Sequence, residues 1–408
     1  GSLFFNVPET LTKSRLAFGL LAYAFAAIMV GTTLPTPMYA LYAQQMHFAV
    51  LTTTVIYATY AGGVLFALLA FGRWSDAIGR RPVLLAGVAF ALASAAVFLV
   101  ADTVPVLLVA RVLSGLSAGI FTGTATAAVI EAAPEKWRTR AAAVATVANM
   151  GGLGIGPLLA GLLVQYASAP LRLSFVVHIV LALLAGVAVL VVPETSQRAG
   201  GIGAQRLSVP AEVRAVFVVA SLAAFAGFAV TGLFAAVAPS FVSQVIGIDD
   251  HAVAGLIAGS IFFASAVAQI AARNVNPQRA VAIGCAVLVA GMALLAVALQ
   301  LSSLIGLIAA AVVAGIGQGI SFSRGLAAVS ELTPPDRRAE VSSTYFVVAY
   351  VAISLPVVGE GVAAQHWGLQ TAGVTFAIAV AILSAMCLVG ILLLEARQPR
   401  SPVTTGIG

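Results

Sequence analysis

An all-α integral membrane fold, with twelve transmembrane helices in two pseudo-symmetric six-helix bundles, is what this sequence predicts, and three observations carry the prediction. The 408 residues are 61% hydrophobic and only 8% charged, with a mean hydropathy of +1.08, whereas a water-soluble domain carries about 25% charged residues. Lys and Arg are confined almost entirely to alternate loops. The two halves repeat each other at a shift of 200 residues, Gly115 falling on Gly315.

About 20 apolar residues cross the hydrocarbon core as a helix. Runs such as 82–101 are apolar throughout, without the alternation of a membrane barrel. Hydropathy and turn signals place the spans near 16–42, 52–72, 82–101, 105–132, 141–165, 173–192, 215–242, 252–272, 281–300, 304–332, 341–364 and 371–394. Residues 1–192 then form one bundle, 193–214 a linker, and 215–408 the second bundle with a short tail.

The first run follows Lys13 and Arg15 and reaches about Tyr42, too long for a cleavable signal, so it reads as a spanning helix. Gly1 and Ser2 read as a cloning remnant. Pro35 and Pro37 stand near its far end, where Tyr39, Tyr42, Tyr57 and Tyr60 gather on the first two helices. Tyr42 and Tyr60 read as interface-belt tyrosines, Tyr39 and Tyr57 as substrate-cavity residues. The second and third helices are joined by Gly72-Arg-Trp-Ser-Asp76-Ala-Ile-Gly79-Arg80-Arg81-Pro82. Its glycines suit close packing and a tight turn, while Asp76 either caps the third helix or pairs across an interface.

The fourth helix holds Arg111-Val-Leu-Ser114-Gly115, and the fifth Gly152-Leu-Gly-Ile-Gly156-Pro157-Leu-Leu-Ala160-Gly161, whose small residues permit close helix packing around a bend point at Pro157. The sixth contains His178. Pro239 of the seventh stands about where the prolines of the first do. The loop before the ninth reads Arg273-Asn-Val-Asn-Pro277-Gln-Arg279, without an Asp, so the halves are expected to gate unequally. Cys285 in the ninth and Cys387 in the twelfth read as small buried apolar residues. The tenth carries Gln318, Arg324 and Glu331, the eleventh Glu360.

Apart from Arg111, Arg172 and Arg324, every Lys and Arg lies in a terminus or in the loops on the same side as the termini. By the positive-inside rule that side, linker included, is cytoplasmic, which requires an even number of crossings. The net charge of +6 has this cause. No basic domain stands ready for nucleic acid, and none is expected as a partner.

The repeat is sharpest where GLSAGIFTGTATAAVIEAAPEKWR from Gly115 pairs without a gap with GIGQGISFSRGLAAVSELTPPDRR from Gly315. Glu131 meets Glu331, Pro134 meets Pro334 and Arg138 meets Arg338, and the register continues through Gly161 with Gly361. Two alanine-rich helices do not match an acid, a proline and an arginine in one loop by composition alone. Parallel six-helix repeats enclose a midplane site in transporters.

The loop motif resembles the major facilitator pattern G-x-L-a-D-r-x-G-r-k, with Trp74 in place of Leu. The fourth-helix motif resembles R-x-x-q-G, with Ser114 for Gln, and the fifth-helix motif resembles g-x-x-x-G-P-x-x-G-G of antiporter branches. The chain therefore resembles the twelve-helix drug:proton antiporter branch of the major facilitator superfamily, which implies alternating access and leans toward export. It also implies that Arg111 takes part in proton coupling, the competing reading being hydrogen bonds to helix-end carbonyls.

Ionisable residues inside a bilayer are expensive and default to functional candidates. Glu360, which replaces the repeat-related Ala160, is the best proton carrier, unless its place one turn from the surface leaves it simply wet. Glu131 and Glu331 are expected to gate by pairing with arginines such as Arg80 or Arg338 when the cytoplasmic side is closed, the alternative being solvated helix ends. Gly72, Asp76, Gly79, Arg81, Gly156 and Pro157 belong to the same gating set. Arg324 is assigned to the cavity with Tyr39, Tyr57, Asn149 and Gln318, or else to a buried pair with Glu331. The first helix holds no acid, which makes neutral or anionic substrates at least as plausible as cations.

The expected function is secondary active transport of a small amphipathic compound by proton-coupled multidrug or metabolite efflux, the alternative being an importer or facilitator of an organic anion with Arg324 as clamp. No enzyme, cofactor or metal site is expected, since His47, His178, His251 and His366 are scattered singly. The expected partners are the substrate, protons and membrane lipids, and the expected setting a monomer in the bacterial inner membrane with both termini cytoplasmic.

Overall fold

The computed structural model describes residues 9–397, with side chains from Arg15. Gly1, Ser2 and Arg400 lie outside the described residues, as does the side chain of Lys13. Among the described residues every regular element is a helix, and twelve helices are long and apolar enough to cross a membrane. They are α1 (Glu9–Thr33), α2 (Val50–Phe71), α3 (Arg80–Leu99), α4 (Val104–Ala132), α5 (Arg138–Tyr166), α6 (Leu173–Val191), α7 (Arg214–Ala236), α8 (His251–Ala271), α9 (Pro277–Gln300), α10 (Leu304–Leu332), α11 (Arg338–Trp367) and α12 (Leu369–Ala396).

Two expected spans are interrupted. After α1 the chain passes through Leu34-Pro35 into a 3₁₀ turn, Thr36–Met38, and a short helix, Tyr39–Met46. After α7 it breaks at Val237 and continues through Ala238–Ser240 into a π-helical turn, Phe241–Ile246. Hydropathy runs through both breaks, but proline cannot donate the helical hydrogen bond and its ring crowds the preceding turn. The linking segment after α2 is likewise not plain loop, since Trp74–Ile78 is helical.

Within the first six helices α1 packs on α4, α5 and α6, α2 on α4, and α3 on α4 and α6. The second six repeat this arrangement: α7 packs on α10, α11 and α12, α8 on α10, and α9 on α10 and α12. Apolar side chains such as Leu183, Val187, Ile382 and Val389 are exposed on α6 and α12, the orientation a lipid-facing helix requires.

The halves meet along α5 with α8 and α2 with α11, at the face opposite the basic loops. There a Cβ on Gly255 would run into the Pro157 carbonyl oxygen and one on Gly161 into that of His251. Glycine is what lets these two backbones close on each other. The Gln165 side chain seals the seam by accepting from the His251 N–H at 3.0 Å.

On the basic face the linker touches both halves. Gln205 N–H donates to the Leu69 carbonyl at 2.8 Å, Ser208 N–H donates to the Thr344 hydroxyl at 3.1 Å, and Arg337 donates to the Ser208 hydroxyl.

Candidate functional site

A cavity of about 460 Å³ lies between the two halves, within the range of small-molecule sites. Its lining descends to Leu68, Ile130 and Gln269, in the last turns of α2, α4 and α8 at the basic face. With the opposite face sealed by α5 and α8, the molecule is open toward its basic side. None of the lining residues is Asp, Glu, Lys, Arg or His.

Of the expected cavity residues, Asn149 and Gln318 line it. Gln318 is held by Ser265, whose hydroxyl donates to its Oε1 at 2.5 Å while accepting from Gln269 Nε2 at 3.1 Å. The Gln318 amide N–H₂ is thereby left over to donate. Tyr39 and Tyr57 do not line the cavity. Both are buried on the sealed side, near Arg111. Arg324 does not line it either. It shares a stripe of α10 with Gly317 and Ser321, which pack on Leu288 and Gly284 of α9, and its Nε is buried without a partner. No ion pair joins it to Glu331 among the described residues. The interface-belt reading of Tyr42 and Tyr60 also fails: both are buried, and Tyr60 reaches the cavity wall. Each lies at a helix position that hydropathy leaves undecided, and helix rotation turns the ring inward.

Arg111 is 1% exposed. Its guanidinium lies 4.7 Å from the centre of the Tyr60 ring and 5.9 Å from that of Tyr57, and Nη1 donates to the Thr32 carbonyl at 2.8 Å. Thr32 is in the last turn of α1, so the helix-end carbonyl bond expected as the competing role is present. Glu360, far from being wet, is 3% exposed, and its Oε1 has no partner. It follows Phe346, Ile353 and Val357 along one stripe of α11, above the cavity toward the sealed face. No ion pair links Arg111 to Glu360 among the described residues.

At the basic face Arg80 pairs with Asp76 at 2.7 Å and with Glu131 at 2.7 Å, and donates to the Ser75 hydroxyl. The expectation tied the Glu131 pair to a closed cytoplasmic side. It forms instead within one half, α3 to α4, while the cavity is open to the basic face. Asp76 does not cap α3. Glu194, from the linker, accepts from the backbone N–H groups of Arg80 at 2.8 Å and Arg81 at 3.2 Å. Its only sequence signal was an acid placed just beyond an apolar run. Partial burial pushes its carboxyl up, but N–H groups of Ser196, Arg80, Arg81 and Thr195 outweigh this and hold it below the ordinary 4.5. Gly79, at φ +113°, leaves room for that carboxylate, which a Cβ would strike.

Arg81 reaches the Leu190 carbonyl, and Gly72 ends α2 beside Gln205 of the linker. Among the described residues of the second half there is no such cluster: Arg338 Nε donates to the carbonyls of Ser330 at 3.1 Å and Thr333 at 3.3 Å, and Glu331 is exposed. Gly156 packs against α1 at Val30 and Thr33, next to Pro157 within α5.

Sequence reasoning missed the aromatic part of the cavity wall, Phe228, Phe262, Phe322, Phe346 and Tyr350. The repeat carried a signal for it, because Phe322 and Phe346 stand where the first half has Thr122 and Thr146.

The family model of the Major Facilitator Superfamily matches residues 16–356. The chain is 27% identical over 177 residues to multidrug resistance protein 1 of Bacillus subtilis (strain 168), covering 43% of this chain and 45% of that protein. It is 37% identical over 108 residues to a class E tetracycline resistance protein of Escherichia coli, covering 26% of each. The matched stretches thus span less than half the length of these relatives. Among solved structures it is similar to a bacterial homolog of the human lysosomal transporter Spinster in an inward-facing and unoccupied conformation, with a TM-score of 0.71 at 14% identity, over 96% of this chain and 99% of that one.

Proposed function

The chain belongs to the Major Facilitator Superfamily, and on that premise we propose that this transporter exports a small amphipathic compound in exchange for protons. The single observation that carries this reading is the separation of two buried groups from the cavity. The cavity opens on the basic face, while Arg111 and Glu360 stand on its sealed side, where only a change of conformation admits water. The relatives named for multidrug and tetracycline resistance support a compound of this kind.

In this mechanism the bundles 1–192 and 215–408 rock about the cavity. The basic face is cytoplasmic in a bacterial inner membrane, so the substrate enters from inside, as the chain lies here. Rocking then parts α5 from α8 and α2 from α11, releases the substrate outward, and wets Glu360, which takes a proton. Returning to the present state brings the protonated Glu360 back above the cavity. The proton then leaves through the cavity to the basic side as the next substrate enters, which restores the carboxylate for another cycle. Arg111, a guanidinium that no acid among the described residues pairs with, biases which carboxyl protonation state the sealed side tolerates. The protein acts as a monomer. The anion-importer alternative loses its clamp, since Arg324 faces α9 rather than the cavity.

The test is proton-driven flux in reconstituted vesicles. Glu360→Gln and Arg111→Gln should each abolish flux coupled to a pH gradient while the proteins elute as folded monomers. Wild-type flux by both variants would overturn the coupling assignment.

A further inference from the structure

The two walls of the cavity are chemically unlike, and the internal repeat shows that the difference does not come from the fold. At the 200-residue shift Thr122 falls on Phe322, Thr126 on Leu326 and Thr146 on Phe346, and all six line the cavity. One backbone plan therefore presents hydroxyls from α4 and α5 and rings from α10 and α11.

The ring wall is an ordered array. Phe322 meets Phe228 at 4.9 Å and 74°, and Phe346 at 5.8 Å and 64°, both edge to face, geometries that hold rings at fixed angles. The hydroxyl wall is small and polar. Thr122 and Thr146 donate to carbonyls of their own helices and keep lone pairs to accept with. Asn149, which falls on Ala349, has its Oδ1 buried without a partner. On the ring side the polar groups are tied up locally: Thr231 and Ser323 donate to carbonyls of their own helices, Gln269 donates to Ser265, and Ser265 fixes Gln318, whose N–H₂ is left over. Tyr350 adds its hydroxyl to this wall.

No residue that lines the cavity carries a charge, and the nearby Arg111 guanidinium is screened from it by the Tyr60 ring. A charged ligand would leave water here without a counter-ion in the lining, a desolvation that nothing on the wall offsets. We propose that the cavity takes an uncharged, flat aromatic compound with hydrogen-bonding groups along one edge. Its ring lies against Phe322 and Phe346, and its polar edge meets Thr122, Thr146 and Asn149. This deepens the export reading, on which it rests for direction but not for binding.

The experiment measures binding to the full chain in lipid nanodiscs. The probe is radiolabelled chloramphenicol, an uncharged nitroaromatic with an amide and two hydroxyls. Ethidium, a permanent cation, salicylate, an anion, and nitrobenzene, which keeps the ring without the amide-diol edge, serve as competitors. Chloramphenicol should bind, with ethidium and salicylate weaker by about tenfold or more. Phe322→Ala should weaken chloramphenicol and nitrobenzene alike by about tenfold. Thr146→Val and Asn149→Leu should weaken chloramphenicol about tenfold and leave nitrobenzene unchanged, a split that loss of structure does not produce. Ethidium or salicylate binding as tightly as chloramphenicol, wild-type affinities in all three variants, or no binding of any probe by folded protein would overturn the assignment. Binding as expected without proton-driven flux would support it and overturn the export mechanism instead.

Discussion

Arg111 keeps its charge in a nearly dry site by placing it over two tyrosine faces and bonding once to the end of α1. Lysine would carry the same charge without the planar surface that stacks or the fork that reaches Thr32. Arg111→Lys should therefore lose about 1–2 kcal/mol of stability, the range of a desolvated cation–π contact. Chemical unfolding in detergent measures it, and an unchanged midpoint would mean the rings contribute nothing. Arg111 and Glu360 were legible in the sequence because a charge in an apolar run stands out whatever its surroundings. Their surroundings were not legible. The tyrosines that meet Arg111 come from a neighbouring helix, and which way each turns is settled by packing that no local pattern records. Arg324 shows the same limit, since its depth in the span could be counted but the face it occupies could not be assigned to α9 or the cavity.

At the scale of elements, α3 begins on a carboxylate supplied from more than a hundred residues away, Glu194. A negative group at a helix N-terminus satisfies orphan N–H groups and complements the helix dipole. Because the folded carboxyl titrates below 4.5, the contribution is present at neutral pH and is lost as pH falls through the lowered folded value. Glu194→Gln should cost about 1 kcal/mol at pH 7, the usual worth of a cap, and the gap from wild type should close in acid. Thermal unfolding of both proteins between pH 7 and 3 checks this; a gap independent of pH would argue for packing alone. The existence of each span was readable from hydropathy. The breaks after Thr33 and Ala236 were marked only by prolines at matching places, because apolar composition continues across them.

For the whole molecule, the 200-residue repeat implied two halves built alike, and the contacts of α1 to α6 do recur in α7 to α12, although which helices touch was not readable from it. It equally held the Thr-to-Phe exchange in plain letters, but only helix rotation tells which positions face the centre. If the substrate is uncharged and leaves in exchange for protons, each cycle moves net positive charge inward. Flux in proteoliposomes should then rise with an inside-negative potassium diffusion potential even at zero pH gradient. Flux indifferent to that potential would exclude a net charge per cycle.

The linker meets the first half at Leu69 through Gln205, and the second at Thr344 through Ser208. Between those two anchors lie three peptide units, which stretch to about 11 Å when fully extended. That short tether acts as a mechanical stop: however wide the halves swing at the basic face, α2 and α11 there stay within one leash length unless an anchor is released.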